Sequence, residues 1–366
     1  MARTTTSSPA PPWQSGTSIP VRPAEPWAAP GGTTTGRIPL SQPRPAVPGG
    51  GFSPKAFAGE VVPFQVTAYR EGHDLIGVHV RLVSPSGDES LHVLLPQQDG
   101  LDRWRADIAL HEQGDWSFRF EAFADEVATW RHAALLKISA GVDAPLMREI
   151  GARLFDRAVA DRTRPRPERT VLSRAAATLR DPEASDAEAL TIVEDVPISE
   201  MFLTRPLAAL VTVGETLPLH VERERAGVGA WYEFFPRSEG ARRLKDGTIA
   251  GGTFRTAAKR LPAVADMGFQ VLYLPPIHPI GRVNRKGRNN TLDAQPGDPG
   301  SPWAIGSAEG GHDAVHPDLG TLADFRSFVR AANALGIEVA LDLALQAAPD
   351  HPWVAAHPEW FTTLPD

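Results

Sequence analysis

The chain has 366 residues, with 37 basic and 44 acidic side chains and a formal net charge of −7. This mild acidity argues against non-specific nucleic-acid binding, which requires a basic face. There is no cysteine, which excludes disulfides, thiolate metal sites and a cysteine nucleophile. The sequence contains no run of about 18 apolar residues that would predict a membrane span, and it begins with no secretory signal pattern, so we expect a cytoplasmic protein.

The first 36 residues are predicted to be a disordered tail. Eleven of the 35 prolines lie in residues 1–50, among Thr, Ser, Ala and Gly and without apolar periodicity. Such a composition cannot bury enough apolar surface to offset the entropy of ordering the chain. Trp13 and Trp27 are open to two interpretations, docking points for a partner or parts of a solvated tail, and we favour the second.

Residues 37–141 are predicted to form an antiparallel β-sandwich. Apolar and polar side chains alternate in three stretches: 61–66, 78–82 and 116–120. Alternation places every second side chain on one buried face of a strand, and short strands separated by turn clusters are typical of a sandwich. Trp104 and Trp130 either fill its core or stack on sugar rings, and we favour the core.

Residues 142–225 are predicted to form two or three amphipathic helices. Met147, Ile150 and Leu154 have helical spacing. The mixed-charge run from Glu222 to Arg225 indicates a solvated helix end or a linker. We expect this segment to serve packing or oligomerisation, with no catalytic residue.

Residues 226–366 repeat a helix followed by a strand, which predicts a (β/α)8 barrel or a doubly wound sheet. Three strands are predicted, at Trp231–Phe235, Phe269–Leu274 and Ile337–Leu345. The last is nearly all apolar, as in a parallel strand buried on both faces. Helices are predicted after Thr253 and Thr321 and end at Gly268 and Gly336, with a kink or two pieces at Pro262.

A complete barrel needs about 250 residues, and this last segment is much shorter. We therefore expect an incomplete, TIM-type (β/α)8 barrel, that is, the first part of a longer protein. The predicted architecture is an N-terminal sandwich, a helical segment and this truncated barrel.

The segment after the second predicted barrel strand is the candidate ligand loop. Residues 281–311 show little periodicity, and long irregular loops are usually functional or disordered. The cationic and amide side chains of Arg285–Asn290 suit an anion and sugar hydroxyls; the alternative is a solvated basic loop. Asp342 is either an orienting carboxylate or a buried structural acid, and His312 either contacts substrate or caps a loop.

The histidines near this loop do not indicate a metal site. His278, His312, His316 and Asp342 match no metal-ligand spacing. We therefore expect no metal and no cofactor.

Several motifs carry a resemblance to known families. Three of them resemble the α-amylase superfamily, glycoside hydrolase family 13: Gly310-Gly311-His312-Asp313, the Gly-Thr-Leu-Ala-Asp-Phe segment at 320–325, and the strand Val339-Ala340-Leu341-Asp342. Four longer segments resemble the bacterial α-1,4-glucan:maltose-1-phosphate maltosyltransferases: residues 229–240, 274–281, 285–290 and 350–353.

This resemblance implies transfer of maltosyl from α-maltose 1-phosphate to the non-reducing end of an α-1,4-glucan, with release of phosphate, retained configuration and a homodimeric enzyme. It implies that Lys286 and Gln346 bind maltose 1-phosphate and that Ser301 lines the maltose pocket. Asp342 matches the superfamily's first motif aspartate, and His312 supports the same site. Amylases usually have Asn-His where this chain has Gln346 and Ala347, which agrees with the maltosyltransferases.

No catalytic residue is assigned, because the family's carboxylates come from later barrel strands that would lie beyond residue 366. The resemblance therefore predicts that the chain alone is inactive.

Two other functions remain open. The chain is alternatively a non-catalytic glucan-binding or dimerisation module, or part of an amylase-type hydrolase or branching enzyme. The basic loop favours a phosphorylated donor over a plain hydrolase.

Overall fold

The computed structural model describes residues 36–47 and 52–362. The predicted tail, with Trp13 and Trp27, lies outside these ranges except for Gly36. The chain divides into two compact units, Met1–Gly227 and Val228–Asp366. Within the described ranges, no helix has the length and apolar character needed to cross a membrane.

The first unit contains a mixed β-sheet, of which nine strands fall in the described residues. These strands are β1 Leu40–Arg44, β2 Lys55–Phe57, β3 Val61–Ala68, β4 Ile76–Val83, β5 Glu89–Pro96, β6 Arg103–Ala109, β7 Gly114–Asp125, β8 Ala208–Val213 and β9 Leu217–Glu222. Their order is β1-β3-β6-β5-β4-β7-β9-β2, with β8 also paired to β7. The β2–β9 pair is parallel, and the other pairs are antiparallel.

The apolar set of each predicted stretch lies in or packs against the sheet core, but in 78–82 the intervening His79 and Arg81 are buried as well. Val62, Phe64 and Val66 on β3 are buried in one core together with inward-facing residues of β4 and β7. Phe64 and Phe118 meet edge to face with ring centroids 5.1 Å apart, an arrangement that aromatic pairs favour. The inward side chains of the sheet therefore supply a continuous apolar core.

Five helices are inserted between β7 and β8. They are α1 Glu126–Ser139, α2 Ala144–Ala160, α3 Arg166–Arg180, α4 Asp186–Glu194 and α5 Val196–Thr204, and a short α6, Glu224–Gly227, follows β9. Their buried side chains form a second apolar core. Arg164 is buried in it, with its guanidinium 4.8 Å from the Phe202 ring centroid and bonded to the Met201 carbonyl at 3.3 Å.

The prediction that residues 142–225 are helical is wrong at both ends. The first helix begins earlier, because β7 runs directly into α1 and the Asp125 carboxylate accepts a hydrogen bond from the Ala128 amide at 2.9 Å. Residues 208–222 are strands, because Leu219 and Val221 have a period of two and return to the sheet core. The Glu222–Arg225 run spans the end of β9 and the start of α6.

The two tryptophans weighed as sugar platforms both pack into cores. Trp104 packs against the sheet core, and its indole N–H donates to the Ala68 carbonyl at 3.0 Å. Trp130 is buried in the helical core, and its N–H donates to the Met147 carbonyl at 2.7 Å. The prediction that both residues pack in the core of the sheet is confirmed for Trp104 and wrong for Trp130, which lies on α1 and packs among the helices.

The second unit contains a parallel three-stranded sheet within the described residues. Its strands are β10 Trp231–Glu233, β13 Val271–Leu274 and β14 Glu338–Leu341, and a separate small hairpin pairs β11 Arg242–Arg243 with β12 Ile249–Ala250. Its helices are α7 Phe254–Ala257, α8 Leu261–Asp266, α9 Leu322–Ala334 and α10 Pro352–Ala356. Phe254, Leu272 and Phe328 lie in the core between sheet and helices.

The predicted helix signals are confirmed in this unit. Thr253 and Thr321 both form capping boxes, with side chain and backbone satisfying each other. The helix containing Pro262 is in two pieces, α7 and α8, joined by the 3-10 turn Ala258–Arg260. Gly268 and Gly336 lie just beyond the helices with φ of 87° and 76°, a left-handed conformation that favours glycine.

The prediction that 337–345 is a strand buried on both faces is wrong. The strand ends at Leu341, and Leu343 and Leu345 are 79% and 82% exposed. In the described residues β14 pairs only with β13. Without a neighbouring strand on its other side in these residues, β14 has no second set of backbone hydrogen bonds to prolong it. The strand therefore ends before the apolar run does.

We predict that Gly151→Ala destabilises the helical core. A Cβ at position 151 would overlap the buried Trp130 indole. Glycine to alanine within a helix is normally stabilising by about 1 kcal/mol, whereas overpacking here should give a net loss of about 1–3 kcal/mol in urea unfolding. Arg153→Ala, on an exposed part of the same helix, is the control and should change stability little. A stabilised Gly151→Ala variant would contradict this packing.

We predict that protonation of His79 weakens the first unit in acid. Its Nε2 lies 2.9 Å from the Leu203 carbonyl of α5, and burial lowers the pKa of His79 from 6.5 to about 4. Between pH 6.5 and 4 the unfolded chain binds a proton at His79 and the folded chain does not. The contribution of the neutral His79 to the free energy of unfolding is therefore fully present above pH 6.5 and is lost as the pH falls towards 4.

The matched variant is His79→Gln, whose amide can still donate to Leu203. Urea unfolding should show wild type losing about 2 kcal/mol more than this variant between pH 7 and pH 5. Equal losses in the two proteins would rule out His79 as the titrating group.

Candidate functional site

The candidate site lies in the second unit, beyond the carboxyl ends of its parallel strands. The register aligns Glu233, Tyr273 and Ala340 across the sheet. The adjacent positions Leu272 and Val339 instead face the apolar core between this sheet and the helices of the second unit. Polar side chains at and beyond the strand ends therefore occupy the region where α/β folds bind ligands.

Asp342, directly after β14, is held by two aromatic donors. Its Oδ2 accepts a hydrogen bond from the Trp303 indole N–H at 2.7 Å. The Tyr273 hydroxyl also bonds to this carboxylate, which raises the pKa of Tyr273. These bonds offset the cost of half-burying a carboxylate at the end of an apolar strand, and they bring Asp342 against the loop that contains Ser301.

The loop after β13 is folded by its own arginines. Arg285 donates to the carbonyls of Ile280, Gly281 and Asp298, at 2.8, 2.9 and 3.3 Å. Arg288 pairs with the Asp298 carboxylate at 3.2 Å. Arg282 pairs with Glu309. Three of the loop's cations thus already donate hydrogen bonds to carbonyl or carboxylate oxygens of the second unit.

Lys286 differs from these three arginines. It is half-buried, and it makes no hydrogen bond or ion pair with the residues that the structure describes. Its ammonium group therefore retains three donors and a full charge for an anion. Of the four cations in this loop, Lys286 is the one whose side chain makes no hydrogen bond or ion pair with a described residue.

The other two expected contact residues also have uncommitted side chains. Gln346 is exposed and Ser301 is half-buried, and neither side chain bonds to a described residue. Hydrogen bonds nevertheless join their two segments: the Ala348 amide donates to the Ile305 carbonyl, and the Arg282 amide to Asp350 Oδ2, both at 2.7 Å. The structure thus ties the segments together without a direct bond among Lys286, Gln346 and Ser301.

His312 is bonded through both ring nitrogens. Nε2 lies 2.7 Å from the Ala344 carbonyl, and Nδ1 lies 3.1 Å from His351 Nε2. The ring also stacks on Trp353 at 5.6 Å and 14°. Burial lowers the pKa of the neighbouring His351, which favours the neutral form of that ring.

Sequence reasoning did not assign a role to His351 or Trp353. Both lie in the Asp-His-Pro-Trp segment at 350–353, whose only signal in the sequence is the resemblance described above. His278 bonds separately to the Ala314 carbonyl at 2.9 Å. Among the described residues, no group of three or more histidine or acidic side chains is arranged to hold a metal ion.

Fold and site together define a two-unit chain, a helix-inserted β-sheet unit followed by a βα unit with polar loops beyond its strand ends. A family model described as "Alpha-1,4-glucan:maltose-1-phosphate maltosyltransferase, domain N/S" matches residues 36–223. Because this match covers just over half of the chain, the chain belongs to that family.

Similar curated proteins come from several actinobacteria. "Alpha-1,4-glucan:maltose-1-phosphate maltosyltransferase 1" of Streptomyces coelicolor is 52% identical over 338 residues, which cover 91% of this chain and 49% of the relative. Similarly named proteins of Mycolicibacterium smegmatis and Mycobacterium tuberculosis are 45% and 44% identical, over 92% and 90% of this chain and 52% and 50% of their own lengths. The chain spans about half the length of the curated relatives it matches.

We predict that Arg285→Ala opens the loop after β13. The substitution removes the donor that satisfies three backbone carbonyls, and unsatisfied carbonyls favour exposure to water. Hydrogen–deuterium exchange of residues 281–300 should accelerate by about tenfold or more. Arg282→Ala removes the same charge from a mostly exposed side chain and should leave exchange nearly unchanged. Equal exchange rates in wild type, Arg285→Ala and Arg282→Ala would show that Arg285 does not hold the loop.

Proposed function

We propose that this chain forms the amino-terminal half of an enzyme that transfers maltosyl from α-maltose 1-phosphate to the non-reducing end of α-1,4-glucans, releasing phosphate. The family match over residues 36–223 carries the proposal. The 52% identity to a relative of that name extends the support across both units. The free ammonium of Lys286 adds a chemical reason for a phosphorylated donor.

In this proposal the site residues have separate tasks. Lys286 binds the donor phosphate through charge-assisted hydrogen bonds. Gln346 donates to and accepts from sugar hydroxyls, and Ser301 lines the maltose pocket. Asp342 keeps the end of β14 in place through its bonds to Trp303 and Tyr273. His312 holds the segment after β14 through its bond to the Ala344 carbonyl.

Retention of configuration requires a carboxylate nucleophile and a second carboxyl group that acts as acid and then base. We assign neither role to a residue of this chain. The relatives are about twice as long as the matched region, which supports catalytic carboxylates on barrel strands beyond residue 366. The chain alone is then inactive.

The proposal also covers the finer architecture. Strands β1–β9 form a β-sandwich with the helices α1–α5 inserted, and residues 226–366 form the first part of a (β/α)8 barrel of the glycoside hydrolase family 13 type. Three parallel strands with intervening helices support the barrel. We also propose that the complete enzyme is a homodimer in the cytoplasm.

The direct test supplies the complete gene product with maltose 1-phosphate and a short α-1,4-glucan. We expect phosphate release together with products longer by two glucose units. Shortening of the glucan without phosphate release would favour an amylase-type hydrolase. Glucan binding without either reaction would favour a non-catalytic module.

We predict that Lys286→Met in the complete gene product weakens donor binding. Losing a charge-assisted hydrogen bond should raise the KM for maltose 1-phosphate by roughly 10- to 100-fold, while binding of unphosphorylated maltose changes little. Arg282→Met is the control, because Arg282 is already paired with Glu309. An unchanged KM in Lys286→Met would remove the argument from the free lysine.

A further inference from the structure

The His351 imidazole occupies a space that two glycines leave open. The residue is 2% exposed. A Cβ at Gly306 or at Gly311 would overlap the ring, and Gly306 has a φ of 105°, in the region that favours glycine. The backbone on this side is therefore shaped around a buried, polar ring.

The hydrogen bonds determine which nitrogen of each ring carries the proton. The Trp353 amide donates to His351 Nδ1 at 3.0 Å, so in the neutral ring the proton is on His351 Nε2. That N–H donates to His312 Nδ1 at 3.1 Å. His312 Nε2 then carries its own proton and donates to the Ala344 carbonyl at 2.7 Å. All four ring nitrogens are used, and each neighbour requires the same pair of tautomers.

This chain of bonds ends on a segment with few other restraints. Residues 343–347 follow the end of β14, with Leu343 and Leu345 largely exposed. In the part of the chain that the structure describes, the bond from His312 is the one side-chain hydrogen bond made to these five residues. Asp342 and Ala348 fix the two ends of the segment, and His312 fixes its middle, two residues before Gln346.

We propose that His351 is a positioning residue that, by setting the tautomer of His312, holds the 342–348 segment where Gln346 meets the sugar of the donor. The proposal rests on the proposed function for the role of Gln346. We call the hydrogen bonds from His351 to His312 and from His312 to Ala344 the relay. Loss of the relay should weaken donor binding in the ground state and the transition state alike, which raises KM with little change in kcat.

Two substitutions separate the relay from simple packing. Both His351→Asn and His351→Gln remove the ring from the space beside the glycines. The Gln amide nitrogen extends to about the position of Nε2 and can donate to His312. The shorter Asn can accept from the Trp353 amide but does not reach His312.

The experiment uses the complete gene product with ¹⁵N-labelled histidine. In wild type, the ¹⁵N shifts of His312 should report a neutral ring protonated at Nε2. His351→Asn should lose this single tautomer and raise the KM for maltose 1-phosphate by roughly 3- to 10-fold, the effect of about one hydrogen bond. His351→Gln should restore both readouts towards wild type.

The relay is overturned if wild-type His312 is protonated at Nδ1 or carries a charge at neutral pH, a result that needs no variant. It is also overturned if Asn and Gln impair the enzyme equally, since that pattern indicates packing alone. If wild type does not use maltose 1-phosphate, the proposed function fails, while the ¹⁵N shifts still decide the relay.

Discussion

The candidate site depends on hydrogen bonds from side chains to the backbone carbonyls of two irregular segments, the loop after β13 and the segment after β14. The loop after β13 has no sheet ladder of its own, and its carbonyls need donors from elsewhere. Arg285 supplies three such bonds from one guanidinium, a task suited to its planar set of donors. With Arg285 and Arg288 bonded within the loop, Lys286 between them makes no hydrogen bond or ion pair with a described residue.

The segment after β14 meets the same requirement differently. Its donor is an imidazole whose proton position is set by a second imidazole 39 residues further along the chain. Trp303 and Tyr273 fix Asp342 at the start of that segment. Both segments are thus restrained by side chains that need not touch substrate, which leaves Lys286, Gln346 and Ser301 uncommitted.

Local signals predicted much of the fold. The capping threonines, the terminal glycines and the break at Pro262 act within a few residues, so the sequence shows them directly. The sequence does not predict strands β8 and β9, because their partners on β7 are 83 to 107 residues away and the helical insertion separates them from the rest of the sheet. The early end of β14 was missed because apolar composition does not reveal whether a neighbouring strand is present.

The sequence predicts which types of side chain the candidate site contains, but not which partners those side chains bind. A run of cations and amides indicated an anion and sugar hydroxyls, but sequence alone cannot tell a ligand-binding cation from one that binds backbone carbonyls. Likewise, His351 gave no signal of its own, because its role exists only through His312 and the glycines around it.

We propose that Lys286 is the cation of this loop that binds the phosphate of a phosphorylated sugar. The most direct measurement is a crystal structure of the complete gene product with maltose 1-phosphate bound. We expect the phosphate within hydrogen-bond distance of Lys286 Nζ, with Arg285 still bonded to its three carbonyls. A phosphate bound elsewhere, or an Arg285 that leaves the loop to bind it, would contradict this role of Lys286.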